Sequence, residues 1–295
     1  MVTRNRATNL KELGAILGAM FDEEKRQEGL AIKLRPTDVV ISPFGKSGTT
    51  WTQQIVHTLR TRGDTDFDDI SRVVPWIETS PALGLDLDAE QKANPRAFKS
   101  HLSWDEMPRG GKYIIVIRDP GDALWSMFKF MEGWFVEPGS MSIDDFAPMH
   151  LKERHYFKHL MSWWPRRGDG DVLLMAFEHM KQDPEAAIRR IAAFIDVPLD
   201  DELLQITLNN CSIDFMLQHK DKFDDLLMRN RSEEIAGLPP GGDSAKVRKG
   251  AVGEHKKHLS ADLQAKIAQA WAEEIIPSTG YVDYAAMIQA LAEEG

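Results

Sequence analysis

At 295 residues the chain has length for one large α/β domain or two small ones, and 42% hydrophobic with 28% charged residues is the composition of a soluble globular protein with ample core. Its formal net charge of −10 excludes a broad electrostatic attraction to nucleic acid or to an anionic membrane, while leaving room for a small basic pocket. The single cysteine, Cys211, rules out an intrachain disulfide and fits a reducing, cytoplasmic setting.

Near the N-terminus, Arg4 and Arg6 precede the apolar run LGAILGAMF, which has the outline of a leader peptide. Lys11 and Glu12 edge that short run and acidic DEEK follows it, whereas Leu10, Leu13, Leu17 and Met20 recur at helical spacing. An amphipathic helix within an N-terminal helical segment of about residues 1–37 is therefore expected. No run approaches the ~20 apolar residues of a membrane span.

Four β-rich runs follow, at Asp38–Ser42, Ala97–Ser100, Tyr113–Ile117 and Val172–Phe177. The longest are uninterrupted apolar stretches, as in strands covered on both faces of a parallel sheet. Helical patterns lie between and after them, at Thr49–Arg60, Asp122–Met131, Pro184–Phe194 and Ala261–Ile275. This alternation predicts an α/β fold: a central parallel sheet, doubly wound, with helices on both faces. No repeat or linker is visible, so residues 1–295 read as one domain. The stretch from about 221 to 250, with its Pro-Pro-Gly-Gly, reads as a long mobile loop or flap.

Between the first strand and the first long helix lies SPFGKSGTTW, Ser42 to Trp51. Gly45 and Gly48 permit backbone conformations that bring N–H groups to an oxyanion, Ser47, Thr49 and Thr50 add hydroxyls, and the following helix presents its N-terminal dipole. Lys46 supplies a mobile charge. The loop by itself is equally compatible with a solvated turn. A triphosphate loop, G-x-x-x-x-G-K-[ST], requires glycine at position 40, which is Val40. The acid that would hold magnesium is also missing where YIIVI ends, because Arg118 comes first. A nucleotide kinase or NTPase is thus the alternative rather than the leading reading.

FGKSGTTW, VPWIE, FKSHLSWDEMP, YIIVIRDPGDALWSMFKF, VLLMAFEHMKQDP and RKGAVGEHKKHLS occur in this order between about Asp38 and Leu259. The chain resembles the cytosolic-type sulfotransferases, which use 3′-phosphoadenosine 5′-phosphosulfate (PAPS). The resemblance implies that the loop wraps the phosphosulfate through Lys46, Ser47, Gly48, Thr49 and Thr50, with Trp51 against adenine. Gly45 stands where the family commonly has proline. Arg118 and Ser126 match the family's grip on the 3′-phosphate, and Arg248, Lys249 and Gly250 a further clamp on it. Phe177, Cys211 and Ile213 replace the family's more polar adenine contacts, which makes for a drier purine pocket.

His101 matches the family's catalytic histidine. Along an extended strand Lys99 and His101 share a face, and a near-neutral imidazole suits a base. Lys46 and Lys99 would then stabilise charge on the sulfuryl group and the leaving oxygen. For the acceptor site the resemblance points to Trp76, Glu78, Phe128, Trp134 and Phe135, with Phe130 in the same stretch. These imply a small hydrophobic alcohol, phenol or amine as acceptor. Trp163 and Trp164 read as helix core. His255 and His258 read as solvated, and no metal site is expected. The family's dimer motif is barely retained in KHLSADLQA, so a monomer or a homodimer is expected.

Overall fold

In the computed structural model, residues 5–241, 243, 244 and 246–294 are described. Four strands, β1 (Val39–Ile41), β2 (Ala97–Lys99), β3 (Lys112–Ile117) and β4 (Val172–Ala176), form one sheet in the order β2-β1-β3-β4. Every pair is parallel, with Val40 opposite both Phe98 and Tyr113, and Ile115 opposite Leu174. The residues are apolar because both faces are covered. Tyr113, Ile115 and Ile117 pack into one core, and Ile114 and Val116 into the other. The α/β expectation holds, with β1, β2 and β4 one or two residues shorter than the expected runs and β3 one residue longer. Phe177 begins a helix rather than ending β4.

The long helices fall where the patterns place them: Thr49–Thr61, Pro120–Trp134, Pro184–Phe194 and Ala261–Glu274. The N-terminal pattern forms the Leu10–Met20 helix, which Asn9 caps by accepting from the Glu12 N–H. Trp163 and Trp164 are buried core residues. No helix among the described residues is long and apolar enough to cross a membrane.

One expectation requires correction. The stretch read as a loop from about 221 to 250 contains the Leu226–Ala236 helix, which stops at Gly237 in a left-handed conformation (φ 64°). Its buried residues are Ser232 and Ala236, so it shows no apolar stripe. Trp134 Nε1 donates to Ser232 Oγ at 3.1 Å and ties this helix to the sheet-flanking layer. Gly242 and Ala245, which the expected flap includes, lie outside the described residues, as do Met1–Arg4 at the head of the N-terminal segment.

Candidate active site

The strand order changes direction between β1 and β3, and in open parallel sheets ligands bind at the carboxyl ends beside such a point. Each strand delivers site residues from that end. The Ser42–Gly48 loop follows β1, Lys99 and His101 close β2, Arg118 follows β3, and Phe177 follows β4. Apart from Ser42–Phe44 and Ser47, which is buried behind the wall, these residues meet in a cavity of about 460 Å³, whose wall includes Lys46, Lys99, His101, Arg118, Ser126 and Phe177.

Gly48 heads the Thr49–Thr61 helix in a left-handed conformation (φ 93°), and a Cβ there would sit 2.9 Å from Phe177 Cδ2. Only glycine fits. Lys46 is itself left-handed (φ 68°), a conformation uncommon outside glycine, and its carbonyl is held by Arg118 Nη1 at 2.9 Å. Gly45 leaves a space filled by Met127: a Cβ at position 45 would meet Met127 Cε at 2.9 Å. The Lys46 ammonium lies 4.5 Å from the centre of the Phe130 ring.

Ser47 Oγ, Thr49 Oγ1 and Arg118 Nε are buried and have no hydrogen-bond partner. Orphaned polar atoms cost about 1–3 kcal/mol each, and a multivalent oxyanion offers the acceptors that would offset this. Arg118 is aimed by two carbonyls: besides Lys46 O, Nη2 donates to Ala251 O at 2.9 Å. Its guanidinium also covers the Phe177 ring at 4.6 Å.

The electrostatics are those of an anion site. Burial drives the Lys46 ammonium down to about 7, assisted by Lys246, Arg118 and Lys99 and opposed by Asp225. Burial and Lys246 lower Lys99 to about 8. His101 is pushed down to about 3, first by burial and then by Lys99, so its imidazole is neutral near pH 7. The Pro43 carbonyl lies 2.7 Å from His101 Nδ1 and can only accept, which places the proton on Nδ1 and the lone pair on Nε2.

Trp76 forms part of the wall, with the Lys99 ammonium 3.8 Å from its ring centre and its edge against His101. Glu78 does not line the cavity. Its Oε1 accepts the His101 backbone N–H at 2.8 Å, and burial raises its carboxyl. It steadies the histidine from behind instead of meeting an acceptor.

Phe128, Trp134 and Phe135 are not brought to the cavity. They are buried in the core, where Phe128 packs on Phe146 and Trp134 stacks on Phe135 at 4.5 Å. Met127, Phe130 and Met131 line the cavity in their place, on the helix face that carries Ser126. Trp51, Ile188, Leu208, Cys211, Ile213 and Met216 line its other end. There Trp51 Nε1 donates to the Cys211 carbonyl at 2.8 Å, and its ring meets the edge of Phe177. The Cys211 thiol is buried and pushed up to about 12. Arg248, Lys249 and Gly250 reach the wall as well, with Arg248 Nη2 bonded to Glu254 at 2.7 Å.

Sequence reasoning missed Asp225 and Lys246, a buried ion pair in the same wall. Nothing in the chain announces a pair 21 residues apart across a loop. It also read His255 and His258 as solvated. His255 is bonded to Asp122, and His258, though exposed, stacks on Trp125 at 4.2 Å. Asp119, Asp122 and His255 are the one metal-sized grouping among the described residues. Their atoms are spent on each other and on backbone N–H groups.

A parallel sheet with an anion-binding loop after its first strand, faced by lysines, a neutral histidine and an arginine, defines a group-transfer enzyme of phosphorylated nucleotides. Residues 36–279 match the family model described as the sulfotransferase domain. The chain belongs to this family, and its reaction class is sulfuryl transfer. It is 28% identical over 257 residues to an amine sulfotransferase of Oryctolagus cuniculus, covering 82% of each chain. It is 29% identical over 241 residues to sulfotransferase 1B1 of Mus musculus, covering 76% of this chain and 78% of the other. Its fold is similar to that of mouse sulfotransferase SULT7A1 complexed with PAP, with a TM-score of 0.69 at 20% identity over 94% of this chain and 95% of that one.

Proposed function

We propose that this chain is a PAPS-dependent sulfotransferase in which His101 is the base, Lys46 and Lys99 stabilise charge at the transferring group, and the acceptor is a small hydrophobic alcohol, phenol or amine. The observation that carries this reading is the convergence of Lys46, Lys99, His101 and Arg118 from three strand ends on one cavity beside orphaned hydroxyls. PAPS supplies an activated S–O bond to its 5′-phosphate. The Ser47 and Thr49 hydroxyls and the Lys46 ammonium hold the phosphosulfate, while Arg118, Ser126 and the Arg248–Gly250 segment face the 3′-phosphate. Trp51, Phe177 and the apolar end around Cys211 take the adenine.

His101 Nε2 accepts the proton of the acceptor hydroxyl as its oxygen bonds to sulfur in line with the breaking S–O bond. Lys46 and Lys99 balance the negative charge left on the departing phosphate oxygen. Burial is the larger cause of the depressed imidazole, and repulsion from Lys99 and Lys246 adds to it. An anion beside these lysines relieves the repulsive part and raises the basicity of His101, while the part due to burial stays. The reaction leaves 3′,5′-phosphoadenosine (PAP), and no metal is needed for any of these roles.

Amine sulfotransferase among the relatives supports an amine, and the retinol bound in a similar fold a largely apolar alcohol, as the acceptor. The wall of Trp76, Met127, Phe130 and Met131 supports the same class. A single domain and a cytoplasmic setting, with buried Cys211 as the lone thiol, belong to this proposal.

Incubation with PAPS and a panel of phenols, steroids, aliphatic alcohols and amines, read by PAP formation, tests the reaction. Thermal shifts with PAP against ATP, with and without magnesium, test the kinase alternative. Stabilisation by ATP only with magnesium, together with no PAP formed across the panel, overturns the proposal.

Two further outcomes are expected. In the free enzyme kcat/KM for PAPS falls as pH rises above about 7, steepening beyond about 8, as Lys46 and then Lys99 lose their protons. A profile flat from pH 6 to 10 removes these lysines from donor capture. Phe130→Ala raises acceptor KM on the order of 10-fold or more by opening the cavity wall, whereas Trp134→Phe leaves acceptor KM unchanged and lowers thermal stability through loss of the Ser232 bond. Equal effects on acceptor KM would contradict the assignment of the cavity face.

A further inference from the structure

Arg248–Gly250 has no regular secondary structure, so the position of its cations depends on what anchors its flanks. The following residues are stitched to the corner between β3 and the Pro120–Trp134 helix. Arg118 Nη2 donates to Ala251 O at 2.9 Å, and Gly253 N donates to Asp122 Oδ2 at 2.6 Å. His255 donates twice to Asp122 Oδ1, from its backbone N at 3.0 Å and from Nδ1 at 2.9 Å. The Asp122 side chain is 1% exposed, so this carboxylate is committed to the segment and has almost no access to solvent.

A second feature serves the same ring. A Cβ at Gly121 would lie 2.8 Å from both Cγ and Cδ2 of His255, so the imidazole sits where position 121 has no side chain. His255 itself does not line the cavity. A buried carboxylate and a vacated Cβ site are therefore both occupied by a histidine that meets neither donor nor acceptor.

We propose that His255 is a positioning residue for the donor: as a cation it docks residues 251–255 on Asp122 and so holds Arg248, Lys249 and Gly250 against the 3′-phosphate. This rests on the donor reading above. Among the groups facing the ring, Asp122 lies on the first turn of the Pro120–Trp134 helix and Asp119 is that helix's N-cap, with Asp119 Oδ1 3.3 Å from Nδ1. Arg118 lies beside Asp122, and Glu178, bonded by Tyr284, accepts the Asp119 N–H behind it. Lys256 and Lys257 are the lysines of its own short helix, with Lys256 the one that bears on the ring, and Glu254 just before it is paired with Arg248 and Lys249.

The hydrogen bond to Asp122 is the largest cause of a raised His255 pKa, and it outweighs burial. The sign follows from linkage. Docking by the charged ring is fully present below the ordinary histidine range and is lost as pH rises through the raised value. A neutral imidazole keeps one ordinary N–H donor, so docking weakens without vanishing.

The test is PAP affinity by calorimetry at pH 6 and pH 8.5 for the full chain and for His255→Ala and His255→Asn, with thermal unfolding as the check on folding. Comparing variant with parent at each pH cancels the titration of Lys46, which all share. His255→Ala is expected to bind about 10-fold more weakly than the parent at pH 6 and only about 2- to 3-fold more weakly at pH 8.5. His255→Asn keeps a neutral donor, restores near-parent affinity at pH 8.5, and shows its deficit at pH 6 only. In turnover the same factors appear in KM for PAPS, with kcat changed much less.

Gly121→Ala, whose Cβ crowds the ring at 2.8 Å and Asp119 Oδ1 at 3.1 Å while removing neither charged group, is expected to weaken PAP binding at pH 6. Combined with His255→Ala it adds nothing further. A ratio independent of pH, or additive effects of the two substitutions, overturns the proposal. If the parent binds no PAP, the donor reading fails by itself. Docking is then read from amide hydrogen exchange of Gly253 and His255 in the protein alone at pH 6, where faster exchange in His255→Ala supports the clasp and unchanged exchange overturns it.

Discussion

His101→Ala abolishes nearly all turnover, with a rate loss of about 10²–10⁴, while PAP affinity stays within about 2-fold of the parent. The expectation rests on the tautomer. Pro43 fixes the proton on Nδ1, Glu78 fixes the backbone, and Trp76 fixes the plane of the ring by its edge contact. The imidazole is thus a rigid acceptor whose only mobile property is its basicity. Its removal also relieves a buried group beside Lys99, so folding is not expected to suffer. Single-turnover formation of PAP, alongside calorimetry with PAP, separates the two effects. Turnover near the parent rate would sink the base assignment, and a large loss of affinity would instead place the histidine in donor binding.

Lys46→Met loses PAP affinity on the order of 10²-fold and loses rate as well, yet raises the melting temperature of the ligand-free protein at pH 7 by roughly 3–6 °C. Both signs come from one fact: burial holds this ammonium at about 7, far under the ordinary lysine value. Below pH 7 the folded protein carries a charge that the unfolded chain would hydrate, and the penalty is fully present. Between about 7 and the unfolded value near 10.5 the unfolded state binds the extra proton, so stability rises with pH. Above that range the penalty is gone. The advantage of the methionine variant should accordingly shrink as unfolding is measured from pH 7 towards pH 10. Unchanged PAP binding would count against the loop as the phosphosulfate site, and an equal gain at both pH values would count against the buried charge as its cause.

Much of this arrangement is legible in the residues because local chemistry demands it. Continuous apolar runs mark strands buried on two faces, and a turn holding Gly48, Lys46 and Ser47 marks a close backbone approach to an anion. Alternation along an extended chain puts Lys99 and His101 on one side. What resists reading are contacts between distant segments. The Leu226–Ala236 helix hides because its buried face consists of Ser232 and Ala236.

His255 looked solvated because its partner Asp122 lies 133 residues upstream. The acceptor face was misassigned for a different reason. Phe128, Trp134 and Phe135 come from the resemblance, whereas helical spacing from Ser126 leads to Phe130 four residues on. Periodicity anchored on Ser126 sets Phe128 and Phe135 on the far side of the helix, whereas Trp134 shares the wall face and is kept from the cavity by two turns of helical rise.

The contact between Gly45 and Met127 gives this enzyme an adjustable parameter. A side chain at position 45 would displace only the tip of an unbranched thioether, which relocates at little energetic cost. Methyl, ring or nothing at that position therefore alters how far the Met127 methyl projects into the acceptor space, while the hydroxyls and cations that grip the donor stay where they are. On the function proposed above, size selectivity and anion capture are thus nearly orthogonal coordinates, set by Met127 on one side and by the loop and its cations on the other.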